Sequence, residues 1–143
     1  MEYIPYFIGN VLETGMIYLP SGNGKMSMAL RSEMAEAAAV VLTTEGHENK
    51  SYHFVNSEAW GYEEIAVYIT EATGKTIRYI SPTGQEFRSA LQQKGIAMPE
   101  EYISIILAQA AGEGEIVSDD MEKLIGRKLT PMKAFLQKLY QPG

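Results

Sequence analysis

Between Lys50 and Ile80 the hydrophobic pattern changes period twice, and no other feature constrains the fold as tightly. Lys50 to Asn56, KSYHFVN, sets Tyr52 and Phe54 against His53 and Val55 and reads as a strand. Tyr62, Ile65, Ala66, Ile69 and Ala72 then recur at helical spacing, opened by Gly61 with Glu64 three residues on and closed by Gly74. Lys75 to Ile80, KTIRYI, reads as the next strand. Strand, helix and strand in about 30 residues make a βαβ unit, with parallel strands and a right-handed crossover.

Helices surround that unit. Ile4, Phe7, Ile8, Val11 and Leu12 recur at spacings of three and four and end at Gly15, followed by a short strand at Met16 to Leu19. Met26, Met28 and Leu30 alternate weakly. Ser32 sits where an N-cap belongs, ahead of an Ala-rich helix with Met34, Ala37, Ala38 and Val41 on one face. Thr83 and Glu86 form a capping box before Phe87, Ala90 and Leu91. Pro99 opens a helix with a wide apolar face that includes Ile105. A short helix begins near Ser118, and Thr130-Pro131 opens the last one. The expectation is a helix-rich α/β (α+β) fold, residues 1–143 forming a single domain.

The 143 residues suffice for one ordinary core. The longest apolar run, Ala37 to Leu42, falls far short of the about 20 residues of a membrane span. Twelve Lys and Arg against eighteen Asp and Glu give a net charge of −6, which argues against broad nucleic-acid or anionic-membrane binding. With no cysteine, disulfides, thiol nucleophiles and Cys-ligated zinc are excluded, and a cytoplasmic protein is expected.

Few residues invite chemistry. The Gly22 to Lys25 run lacks the spacing of a phosphate loop, and Met26 stands where that loop needs a hydroxyl residue. No Gly-x-Gly-x-x-Gly occurs, so no cofactor-binding residue is assigned. His47 and His53 have no third ligand at a recognised spacing, so no metal site is expected. The pairs Glu63-Glu64, Glu100-Glu101 and Asp119-Asp120 fall in first turns, where the helix dipole accounts for them. Tyr3, Tyr6 and Asn10 share a helix face opposite Ile4, Phe7 and Val11. That face can line a pocket for a flat, partly polar ligand, although rings packed with wet hydroxyls are the ordinary reading. Trp60, before a helix cap, is a packing residue or a pocket wall. No catalytic residue is identified.

The stretch from Met28 to Lys75 carries a more specific pattern. It holds Arg31-x-Glu33-x-Ala35-x-Ala37-Ala38, then Val41-Leu42, Glu45 to Lys50 (EGHENK), Tyr52 and Trp60. It resembles the NmrA-like branch of atypical short-chain dehydrogenases, especially quinone and triphenylmethane reductase-like members. The tail SDDMEKLIGRKLTPMKAFL resembles the closing segment of that family. The resemblance covers only the later half of the family pattern and implies the substrate-binding half of a Rossmann-fold protein, with the nucleotide-binding half missing. It implies NAD(P)H as cofactor of the full-length family and none bound by this chain alone. It further implies an acceptor-binding portion of an NAD(P)H-dependent oxidoreductase for quinone-like or dye-like aromatic acceptors, inactive alone, with Tyr3, Tyr6, Phe7, Asn10 and Trp60 around the acceptor. The alternative is a non-catalytic binding or regulatory module. On either reading the Ile4/Phe7/Ile8/Val11 face and the Ala-rich helix are expected to be bare, and to pair with a Rossmann-containing partner or a second copy.

Overall fold

A computed structural model describes residues 1–141. In chain order the elements are α1 (Ile4–Ile8), α2 (Val11–Thr14), β1 (Met16–Tyr18), β2 (Lys25–Met26), α3 (Arg31–Thr43), β3 (Trp60–Gly61), α4 (Tyr62–Thr73), β4 (Arg78–Ile80), α5 (Gly84–Gln93), α6 (Glu100–Ala110), α7 (Asp120–Ile125) and α8 (Met132–Tyr140). The fold is helix-rich α/β, as the sequence suggests. No helix among the described residues is long and apolar enough to cross a membrane.

The parallel pair is real, but one partner differs from expectation. β4 pairs with β1 in the register Met16–Arg78, Ile17–Tyr79 and Tyr18–Ile80. Lys50 to Asn56 forms no strand. Its polar groups are satisfied from elsewhere: the His53 N–H donates to Asp120 Oδ2 at 2.8 Å, and the Asn56 carbonyl accepts from Ser27 Oγ at 2.7 Å and the Ser118 N–H at 3.1 Å. With those donors and acceptors engaged by turns and side chains, alternation alone builds no ladder. A second, antiparallel pair joins β2 to β3, Lys25 opposite Gly61 and Met26 opposite Trp60.

Local signals set the helix ends. Gly61 and Glu64 open α4, with the Gly61 N–H donating to Glu64 Oε2 at 2.9 Å, and Gly74 closes it in the left-handed conformation (φ 72°). Thr83 Oγ1 accepts from the Glu86 N–H at 3.2 Å while Glu86 Oε2 accepts from the Thr83 N–H at 2.7 Å. Donation from the Thr83 N–H, and secondarily from the Thr83 side chain, holds the Glu86 carboxyl below its ordinary pKa. Thr83→Ala leaves one α5 N–H without its acceptor, and a stability loss of about 1 kcal/mol is expected in urea unfolding. A change near zero would mean that α5 is held entirely by packing.

The N-terminal helix is broken. Gly9 takes φ 64° and ψ −152°, which ends α1, and α2 begins two residues later. The break lets Ile4, Ile8 and Val11 reach the main core, where they are 0%, 7% and 1% exposed beside Ile17, Ile65, Ile69 and Leu136. Three of the four residues of the face expected to lie bare are therefore covered by the chain itself, while Phe7 is half-buried. Ala37 is likewise buried, against Met121 and Leu129 in a smaller cluster between α3 and α7. Ile105, expected on the apolar face of α6, is 48% exposed.

Candidate functional site

A groove of about 470 Å³ opens between the N-terminal segment and α5. One side comes from Tyr6, Phe7 and Asn10, which flank the break at Gly9. β1 contributes Tyr18, and α5 contributes Phe87, Ala90 and Leu91. The Pro99-containing connection adds Ile96 and Met98. The walls are aromatic clusters: Tyr6 and Phe7 lie 5.9 Å apart at 74°, Tyr102 backs both rings at 5.3 and 5.7 Å, and Tyr18 sits 6.2 Å from Phe87. Offset and edge-on rings of this kind make a surface suited to a further flat π system.

Polar groups are sparse here. Asn10 occupies the N-cap position of α2, yet its side chain makes no capping hydrogen bond. Its exposed amide is thus free to donate to, and accept from, a ligand. The Thr14 hydroxyl is engaged by the Asn10 and Met16 carbonyls at 3.2 and 3.1 Å. Lys94 is the sole charged residue among those lining the groove.

Three of the five residues singled out in the sequence therefore meet. Tyr6, Phe7 and Asn10 line the groove; Tyr3 and Trp60 do not. Tyr3 precedes α1 and is 55% exposed, because the helix that would have carried it into line with Asn10 stops at Gly9. Trp60 is 4% exposed in the core, opposite Met26. The sequence reading missed Tyr18, Phe87, Leu91, Lys94, Ile96 and Met98. Phe87 and Leu91 showed only as a helical stripe, and nothing local marked the other four.

A smaller cavity of about 310 Å³ is lined by Gly22, Asn23, Lys25, Gly61, Glu63 and Glu64, together with Tyr62. Lys25 Nζ stands 3.8 Å from Glu64 Oε2. Burial pushes the Tyr62 phenol well above its ordinary pKa, with a smaller contribution from Tyr79. The glycine turn beside this cavity is not a phosphate cradle. A Cβ on Gly24 would stand 1.8 Å from the Gln109 carbonyl oxygen, so this glycine permits packing on α6, and the two-residue β2 follows it instead of a helix. His47 is occupied by neighbours: its Nε2 and Nδ1 lie 2.7 Å from the Thr44 and Tyr52 hydroxyls. No group of three or more His, Asp or Glu side chains suited to a metal occurs among the described residues.

No model of a known protein family matches the chain. Quinone oxidoreductase 2 of Escherichia coli is 29% identical over 133 residues, covering 90% of this chain and 46% of that protein. An NmrA-like family domain-containing oxidoreductase of Aspergillus flavus is 27% identical over 146 residues, covering 97% of this chain and 47% of that protein. In three dimensions the chain is similar to triphenylmethane reductase of Citrobacter sp. complexed with NADP(H), with a TM-score of 0.84 and 35% identity over 96% of this chain and 50% of that one. The chain spans about half the length of the curated relatives it matches.

Proposed function

This chain is homologous to the C-terminal half of NmrA-like reductases, and on that premise we propose that it forms the acceptor-binding side of an NAD(P)H-dependent oxidoreductase. The acceptor is a flat aromatic molecule of the quinone or dye kind, held in the groove between Tyr6, Phe7, Tyr18 and Phe87. The observation that carries this reading is the free Asn10 amide set within a mostly apolar, aromatic-walled groove. Rings cover the faces of the acceptor, and the amide donates to a carbonyl at its edge.

The nicotinamide nucleotide supplies the hydride in such a reaction, and its binding belongs to residues outside these 143. The absence of a glycine-rich strand–loop–helix and the packed Gly24 turn both support that division. The chain serves as one domain that shapes the acceptor site and is inactive without the nucleotide-holding part.

Calorimetric titration of the 143-residue chain tests both parts. Menadione, a neutral quinone, is expected to bind saturably, and NADPH is expected not to. Ala90→Trp, which puts an indole into the groove, should weaken menadione by about tenfold while circular dichroism stays unchanged. Menadione that fails to bind, or binds the folded Ala90→Trp chain equally well, overturns the acceptor site. Saturable NADPH binding overturns the assignment of the nucleotide elsewhere.

A further inference from the structure

We propose that Lys94 sets the charge of the acceptor, so that the groove prefers a flat aromatic anion, such as a sulfonated or carboxylated quinone, over a cation of the same size. This inference rests on the acceptor-groove reading given above. Lys94 caps the C-terminus of α5, one turn beyond Ala90 and Leu91, and lines the groove with them. The groove-lining residues include no carboxylate. Among the described residues Lys94 has no ion-pair partner, whereas Arg88 on the same helix is taken up by Glu100. Its charge is therefore available to a ligand.

Two fields oppose it, and both are weaker. The negative end of α5 amounts to about half a charge. It is further reduced because the Ala90 and Gln92 carbonyls accept from the Lys94 and Gly95 N–H groups at 3.1 Å. The net charge of −6 favours cations, a field that salt weakens over a screening length of about 8 Å at physiological ionic strength. Within the groove the lysine decides. A delocalised aromatic cation of the triphenylmethane type would meet it with no carboxylate to compensate.

The test measures binding of menadione, anthraquinone-2-sulfonate and the matching trimethylammonium-methyl anthraquinone to the chain, at low and high salt. The sulfonate should bind about fivefold more tightly than the ammonium analogue at low salt, and the gap should close in high salt. Lys94→Gln should remove the gap, and Lys94→Glu should invert it. Equal binding of the two ions, or a preference that survives Lys94→Glu, overturns the charge-selecting role while menadione binding leaves the acceptor groove standing. No menadione binding to the unmodified chain removes the groove reading and this inference with it.

Discussion

Gly24→Ala is expected to destabilise the chain by about 3 kcal/mol, the upper end of the ordinary cost of overpacking. The added methyl would stand 1.8 Å from the Gln109 carbonyl oxygen, 2.5 Å from its carbon and 3.0 Å from the Ala110 nitrogen. All three are backbone atoms, so no side-chain rotation relieves the clash. Either the last turn of α6 or the Ser21–Lys25 turn must move. That would disturb the buried contact in which Ser21 Oγ donates to Gln109 Oε1 at 3.3 Å, and the β2–β3 pair beyond it. Gly46→Ala is the matched control, since Gly46 has φ +90° with nothing within 4 Å, and it should cost only backbone strain of about 1–2 kcal/mol. Urea unfolding of both variants decides the matter. Equal losses would mean that the turn does not press on α6.

Glu33→Ala should cost about 2 kcal/mol, because it leaves the partly buried N–H and hydroxyl of Thr130 without their acceptor. Glu33 is 3% exposed, and its Oε1 accepts from the Thr130 N–H at 2.9 Å, the Thr130 hydroxyl at 2.8 Å and Arg127 Nη1 at 3.1 Å. The larger loss typical of a broken buried ion pair is not expected. Arg127 is 47% exposed and keeps Glu36, so its charge stays solvated and paired. Glu33→Gln preserves an acceptor at Oε1 and should recover about half of the loss. Hydrogen exchange should locate the opening at the start of α8, just beyond Thr130. An alanine variant within about 0.5 kcal/mol of the parent would show that α8 is held by its apolar face alone.

Glu33 also shows how far the sequence could be read. As an acidic residue in a first turn it is explained by the helix dipole, and that explanation is complete from local sequence. Nothing local says that its carboxylate clamps the start of a helix 97 residues away. The same division holds elsewhere. The Gly61–Glu64 and Thr83–Glu86 caps and the αL stop at Gly74 were legible, because each is an interaction over a few residues. The strand expected at Lys50–Asn56 failed because a ladder needs a distant partner, and the partner of β4 is Met16–Tyr18.

The candidate site divides along the same line. Tyr6, Phe7 and Asn10 could be picked out by helical spacing, since they are close in sequence. Lys94, Ile96 and Met98 enter only because α5 docks beside β1 and the broken N-terminal helix. Trp60 was drawn the other way, into the core, by the pairing of Met26 opposite it. The sequence by itself determined the class of fold, most helix limits and one wall of the groove, since short-range hydrogen bonds and hydrophobic spacing specify those. The second wall, the charge at its rim and the partner of the parallel strand were decided only in the folded chain, where contacts between distant segments compete for the same backbone groups and the same apolar surface.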